Sequence, residues 1–184
     1  MAISADEIRL TVEKYLAQYP DERDRLAPLV AALDGGASLA SRTEFRGHVT
    51  CGAAVLDATG RVLHIQHNVL MRWLLPGGHL EPVDVSLRGA ALREVCEETG
   101  IAPEALSPLA GFETIPVDID VHPIPANPAK GEPDHWHFDV RYAFELLGTP
   151  TVRLQDEEVS GVDWLTPDTI PELPLRLKLL SRAG

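Results

Sequence analysis

The chain has few cysteines, few basic residues and no long apolar run. Its 184 residues include 2 cysteines, and 16 Lys and Arg stand against 28 Asp and Glu, which gives a net charge of −12. Cys51 and Cys96 have no metal-type spacing and are weak evidence for a disulfide, so we expect free, buried thiols. The acidic balance argues against a nucleic-acid duplex or an anionic membrane as the main partner, because both demand a basic surface.

The apolar runs fall short of the roughly 20 residues that span a bilayer. The first residues, "MAISADEIRL", lack the basic and apolar parts of a signal peptide. These two features predict a cytoplasmic protein. With 45% hydrophobic residues, the chain can bury one core but would not be expected to form two full domains.

Apolar residues at helical spacing predict two amphipathic helices near the start, over 5–19 and 21–34. Their apolar stripes are explained by core packing or, alternatively, by a dimer contact. From about residue 45 the pattern changes to short strands. We therefore expect an N-terminal helical extension over 1–44 and a main domain over 45–184.

The main domain interleaves strands with helices, which predicts an α/β fold. "HVTCGAAVLD" and "RVLHIQH" form a predicted hairpin, "WLLPGGH" a loop, and a helix runs from near Ser86 to Gly100. Alternation predicts a strand over 112–121 with Asp118 facing outward, and then a proline-rich loop over 122–133. A strand over 135–146, a last strand over 160–165 and a C-terminal helix beginning at Thr166-Pro167 complete the prediction. In the strand over 135–146 we expect the inward residues to be Trp136, Phe138, Val140, Tyr142 and Phe144.

The stretch "LREVCEETGI" places Glu94, Glu97 and Glu98 within an arc about 100° wide on one side of the helix. One interpretation is a solvated acidic face. However, carboxylates near a helix C-terminus oppose the helix dipole as well as each other, unless a cation or Arg93 compensates. Mg²⁺ binds through a few carboxylates, water and substrate phosphates, which this turn can supply.

The segment "GGHLEPVDVSLRGAALREVCEETGI" resembles the Nudix box. That motif is Gly, five residues, Glu, seven residues, Arg-Glu, an apolar residue, any residue, Glu-Glu, any residue, Gly and an apolar residue. The residues that match it are Gly78, Arg93, Glu94, Val95, Glu97, Glu98, Gly100 and Ile101. Asp84 departs from it, because it replaces the first Glu and is separated from Arg93 by eight residues rather than seven.

The resemblance covers residues 77–101 and implies a Nudix-type α/β/α sandwich with a mixed sheet. It further implies a MutT-like pyrophosphohydrolase that uses Mg²⁺ or Mn²⁺ and cleaves the diphosphate bridge of a nucleoside diphosphate derivative, with a homodimer as one assembly. By position, the implied metal ligands are Gly77, Glu94, Glu97 and Glu98. The implied catalytic residues are Arg93, Glu94 and, outside the box, Glu158, with Glu157 and Glu113 as other acids.

Polar residues on one face of the strand over 135–146 are candidates for substrate binding. His137 and Arg141 share that face with His135 and Asp139, and the loop before the strand carries Lys130. Lys130, His137 and Arg141 could line a substrate-facing wall, or the face could be solvated. A zinc site from His135 and His137 lacks a further ligand at a recognisable spacing. Two other functions stay open: a non-catalytic nucleotide sensor, and an isopentenyl diphosphate isomerase, for whose cysteine Cys96 is a poor counterpart on the apolar side of its helix.

Overall fold

The computed structural model describes residues 3–68, 71–149, 152, 154 and 159–181. The helices are α1 (Ala5–Gln18), α2 (Ala27–Asp34), α3 (Leu87–Thr99) and α4 (Leu173–Leu180). The strands are β1 (His48–Leu56), β2 (Val62–His67), β3 (Arg72–Leu74), β4 (Gly77–His79), β5 (Leu106–Pro108), β6 (Asp118–Ile124), β7 (His135–Leu146) and β8 (Val159–Leu165). Among these described residues, no helix is long and apolar enough to cross a bilayer.

The first helix agrees with its prediction, whereas the second begins later than predicted. Ser4 caps α1, since its hydroxyl accepts a hydrogen bond from the amide of Glu7 at 3.2 Å. The predicted helix over 21–34 is a 3₁₀ turn at Pro20–Glu22 followed by α2 from Ala27. Pro28 explains the late start, because proline is tolerated only in the first turn of an α-helix.

The predicted hairpin is present as β1 and β2, which pair antiparallel with Leu56 opposite Val62. In the turn, Oδ1 of Asp57 accepts from the amides of Thr59 and Arg61, both at 2.9 Å. Gly60 adopts a φ of 78°, which glycine reaches without strain.

The predicted loop "WLLPGGH" contains the short strands β3 and β4 instead. Pro76, between these strands, lacks an amide hydrogen, but its carbonyl accepts from the amide of Ala53 at 2.9 Å. This bond lets the segment join the sheet despite its proline.

Helix α3 agrees with its prediction at both ends. At its start, the hydroxyl of Ser86 accepts from the amide of Gly89 at 3.0 Å. At its end, Gly100 has a φ of 68° and donates to the carbonyl of Cys96 at 2.8 Å.

The prediction for the second half is partly wrong. The strand expected over 112–121 is β6, which begins at Asp118 and continues through Pro123 to Ile124, so that the proline-rich loop is shorter than expected. Asp118, expected to face outward, is fully buried. Trp136 is 37% exposed rather than inward, while the other four inward residues of β7 are buried as predicted. The predicted C-terminal helix is a 3₁₀ turn at Pro167–Thr169 followed by α4, which contains Pro174 in its first turn.

The strands form one sheet in the order β3-β2-β1-β7-β5, with β4 paired to β1, β6 to β7 and β8 to β2. β2 and β8 pair antiparallel from Val62 opposite Leu165 to His67 opposite Val159, with a bulge between Gln66 and His67. The structure thus has the α/β fold that the interleaved helices and strands of the sequence predicted.

The chain folds into two compact units, each built from several separate segments. Unit 1 comprises Met1–Cys51, His79–Ala90 and Ile119–Val140, and unit 2 comprises Gly52–Gly78, Ala91–Asp118 and Arg141–Gly184. In unit 1 the core includes Ile8, Tyr15, Leu29 and Phe138, and in unit 2 it includes Val55, Leu63, Val95 and Phe144, all fully or almost fully buried. The division into an extension over 1–44 and a domain over 45–184 stays a prediction.

Candidate active site

The acidic turn of α3 lies in unit 2, and Arg93 sits between two of its carboxylates. Nη1 of Arg93 is 3.0 Å from Oε1 of Glu94 and 2.7 Å from Oε2 of Glu97. The Arg93 and Glu94 side chains are only 16% and 13% exposed, whereas Glu97 is 47% exposed. One guanidinium therefore partly compensates two carboxylates, as the sequence suggested, and it fixes their orientation.

The third carboxylate, Glu98, points to the strand before the helix. Its side chain is buried, and Oε2 accepts a hydrogen bond from the amide of Gly77 at 3.0 Å. This charge-assisted bond holds β4 against the acidic turn. Gly77, inferred from the sequence as a metal ligand through its carbonyl, is thus adjacent to one of the other inferred ligands.

Gly78 approaches the same turn so closely that no larger residue fits without movement. A Cβ at Gly78 would lie 2.6 Å from Oε1 of Glu94 and 2.8 Å from its Cδ and Oε2. The missing side chain therefore lets the Glu94 carboxylate lie directly against the backbone of β4. This close approach gives a physical reason for the glycine of the motif.

Three carboxylates and one guanidinium leave this site with an excess of negative charge at the C-terminal end of a helix, where the helix dipole is also negative. The available donors are carboxylate oxygens and backbone carbonyls, which suit a hard divalent cation. The donor set therefore fits a cation of the magnesium type, and it would carry an unfavourable charge without one.

The other acidic candidates have different environments. Asp84 closes a turn before α3: its Oδ2 accepts from the amide of Glu81 at 2.7 Å, which accounts for its burial. Glu113 is exposed and accepts from the amide of Gly111 at 3.0 Å. Glu157 and Glu158 lie outside the described residues, so the catalytic role of Glu158 stays a prediction.

The three candidates for substrate binding belong to different units. Lys130 is an exposed turn residue of unit 1, and His137 is a half-buried residue of β7 in the same unit. Arg141, in unit 2, is buried, with its guanidinium 3.7 Å from a carboxylate oxygen of Asp118 and 3.6 Å from one of Glu172. Asp118 and Glu172 thus share the positive charge of Arg141, which the sequence suggested would contact phosphate. All three substrate-binding roles stay predictions.

Unit 1 contains a group of imidazoles that the sequence analysis missed in part. The rings of His48, His135 and His137 are mutually 4.7 to 5.2 Å apart between centroids, and those of His79 and His122 are also in contact with His137. Burial, and then the neighbouring imidazoles, lower the pKa of His79 to about 4 and that of His137 to about 3. The sequence showed the His-x-His pair of β7 but not its neighbour at the start of β1.

A family model, NUDIX domain, matches residues 46–182 of the chain. The chain therefore belongs to the NUDIX domain family, and it is a Nudix hydrolase. The resemblance inferred from residues 77–101 is confirmed, and members of this family generally use a divalent metal.

Individual proteins support the same class. The probable DHNTP pyrophosphohydrolase of Lactococcus lactis subsp. cremoris (strain MG1363) is 29% identical over 131 residues, which cover 68% of this chain and 71% of that protein. The binary complex of the C. elegans Ap4A hydrolase has a TM-score of 0.54 at 18% identity, covering 72% of this chain and 94% of that one. The E. coli dihydroneopterin triphosphate pyrophosphohydrolase has a TM-score of 0.53 at 18% identity, covering 72% and 92%. These structures confirm the Nudix-type fold, and the sequence relative supports a pyrophosphohydrolase activity.

Proposed function

We propose that the protein is a Mg²⁺- or Mn²⁺-dependent pyrophosphohydrolase that cleaves the diphosphate bridge of a nucleoside diphosphate derivative by attack of water at phosphorus. The observation that supports this most directly is the arrangement of Glu94, Glu97 and Glu98 around Arg93 and the Gly77–Gly78 backbone. A solvated acidic face would not bury Glu98 or require a glycine opposite Glu94.

Each residue of this cluster has a distinct task in the proposal. Glu97 and Glu98 hold the cation, with the carbonyl of Gly77 as a further oxygen ligand. Glu94 is a ligand or the general base that takes the proton of the attacking water. Arg93 orients two of these carboxylates, because its Nη1 contacts both.

The cation, when bound, lowers the pKa of a bound water and stabilises charge on the departing phosphate. The protein contributes fixed carboxylate positions. Glu98 is held by the Gly77 amide, while Glu94 is confined between Arg93 and Gly78, so little reorganisation is needed when substrate binds. Lys130, His137 and Arg141 are the proposed contacts to substrate.

The sequence relative favours a second substrate candidate. Since the Lactococcus protein carries the name of a DHNTP pyrophosphohydrolase, a pterin triphosphate is a reasonable substrate class beside nucleoside derivatives. Both substrates share a phosphate anhydride and a planar heterocycle, and the carboxylate cluster would act on the anhydride in either case.

The test is a hydrolysis screen with Mg²⁺ and with Mn²⁺ over nucleoside triphosphates, nucleotide sugars, dinucleotides, ADP-ribose and dihydroneopterin triphosphate. Products are identified by mass, and ¹⁸O-labelled water shows which phosphorus is attacked. We expect Glu98→Gln to reduce kcat at least about 100-fold, the loss typical for a group that acts in the transition state.

Glu104→Gln is the matched control, because Glu104 is an exposed acid of the same unit in the 3₁₀ turn Pro103–Ala105. It should retain the activity of the unaltered protein. Equal activity of the Glu98→Gln and unaltered proteins would contradict the assignment of the site. Tight nucleotide binding without turnover on any substrate would instead favour a sensor.

A further inference from the structure

The imidazole cluster of unit 1 has a metal-ligand geometry that the proposed hydrolysis does not use beyond the substrate contact assigned to His137. His48 is the first residue of β1, and His135 and His137 are alternate residues of β7. One ligand atom from each of these three residues lies within 4.8 Å of the others. Three side chains from two strands therefore converge on one point inside the same unit.

The hydrogen bonds of two of these rings identify the nitrogen that carries a lone pair for a metal. Nδ1 of His48 is 3.3 Å from the carbonyl oxygen of Glu44, and Nδ1 of His135 is 2.8 Å from that of Pro133. A carbonyl can only accept, so Nδ1 carries the hydrogen in both rings. In the neutral ring Nε2 is then the atom with the lone pair. Donation of the other ring nitrogen to a backbone carbonyl is the usual support of a metal-bound histidine.

The environment of His48 argues against an ordinary core histidine. Its Nε2 is buried and has no hydrogen-bond partner among the described residues. A buried polar atom without a partner requires an explanation, and an ion bound to it is one.

We propose that His48, His135 and His137 bind one zinc ion. Three imidazoles with water in the fourth position form an established zinc coordination. Zn–N bonds of about 2.0–2.1 Å place tetrahedral nitrogens roughly 3.4 Å apart. The ligand atoms lie within 4.8 Å of one another, so movements of the rings by about 1 Å would bring them to this spacing. The ring of His79 lies next to this group, 5.1 Å from that of His48.

Ligand chemistry separates this ion from the cation of the carboxylate cluster. Imidazole nitrogens suit zinc and related transition metals, whereas carboxylate and carbonyl oxygens suit Mg²⁺ and Mn²⁺. Excess Mg²⁺ should therefore occupy the glutamates and leave the histidines free for zinc. This difference makes the two sites distinguishable in one sample.

The first experiment uses the full, unaltered chain. After removal of bound metal with a chelator, the protein is titrated with Zn²⁺ in excess Mg²⁺, and bound zinc is counted by elemental mass spectrometry. We expect one zinc per chain and a rise in Tm on binding, because an ion that binds only the folded state stabilises it. Binding of clearly less than one zinc, or a Tm that does not change, would overturn the proposal without any mutation.

The second experiment compares variants. His135→Gln and His137→Gln should each weaken zinc binding by more than the roughly 10- to 100-fold that loss of a supporting partner costs. His64→Gln is the control, since His64 is also buried and bonded through Nδ1 to a backbone carbonyl, that of Val62 at 2.9 Å, but belongs to unit 2. It should retain the affinity of the unaltered protein.

A third variant identifies the site. The Glu98→Gln protein should still bind one zinc. When Co²⁺ replaces the zinc, it should give a visible absorption spectrum, and the additional substitution His137→Gln should change that spectrum. Loss of zinc from the Glu98→Gln protein would assign the ion to the carboxylates and contradict the histidine site. Equal zinc affinity of the His135→Gln, His137→Gln and unaltered proteins would contradict it as well.

Discussion

Replacement of Gly78 by alanine tests the geometry of the carboxylate cluster with a single added methyl group. In the structure, the new Cβ would lie 2.6 Å from Oε1 of Glu94, against about 3.4 Å for ordinary contact. The carboxylate must therefore retreat by roughly 0.6–0.8 Å, because carbon and oxygen atoms repel steeply at shorter distances. Its retreat also disturbs the 3.0 Å contact with Arg93.

The expected effect is large on activity and small on stability. Misplacement of a reacting group by about 1 Å can reduce the rate roughly 100-fold, so we expect kcat/KM to fall about 10- to 100-fold, or about 1.4–2.7 kcal/mol in the barrier. Gly78 is not among the glycines with positive φ, so the alanine backbone is unstrained. The free energy of unfolding should change by less than about 1 kcal/mol, since a more restricted unfolded chain offsets the displaced side chain.

The assay measures kcat/KM on the best substrate of the screen and the free energy of unfolding in urea. Gly161→Ala is the control in the same unit, because its Cβ would meet Gln66 and Trp73 at 3.4 Å, an ordinary contact. It should leave both quantities nearly unchanged. Full activity of Gly78→Ala, with the same metal affinity as the unaltered protein, would refute the claim that the position of Glu94 matters for the reaction.

Two further predictions concern stability in unit 2. Burial raises the pKa of Asp57, but the hydrogen bonds within its turn outweigh this effect and lower the pKa from 3.8 to about 2. Since the pKa is lower in the folded state, the contribution is present above about pH 4 and is lost as the pH falls toward 2. Asp57→Asn should therefore cost about 1 kcal/mol at neutral pH and little at pH 2, as measured by urea unfolding; a cost independent of pH would contradict this. Asp118→Asn should cost about 3–5 kcal/mol in the same assay, because it removes the buried carboxylate that lies 3.2 Å from the half-buried Lys178 and 3.7 Å from the buried Arg141. Asp163→Asn is the control, because Asp163 is exposed. An equal loss in the free energy of unfolding for both substitutions would refute the role of burial.

Local sequence signals were enough to predict several elements correctly. The Asp57–Gly60 turn specified the hairpin, and Ser86 and Gly100 specified the ends of α3, because caps and turns are formed by residues close in sequence. The carboxylates of the acidic turn were also placed on one side of α3 by helix geometry alone.

Tertiary packing decided the features that were predicted wrongly. The sequence placed Asp118 on the outer face of a strand, since alternation assigns a polar residue to the solvent side. In the structure it is buried, because Lys178, 60 residues later in the chain, supplies a compensating charge at 3.2 Å. Alternation of polar and apolar residues cannot show such a distant partner.

The sequence by itself determined the Nudix box and the chemistry of its oxygen donors, because that information lies within one short segment and one helical turn. Only the tertiary structure placed the backbone of Gly78 against Glu94 and brought His48 beside His135 and His137. His48 lies at least 87 residues before the two histidines of β7 in the chain. Their proximity depends on which strands become neighbours in the sheet, and hydrophobic periodicity specifies the faces of a strand but not its neighbours.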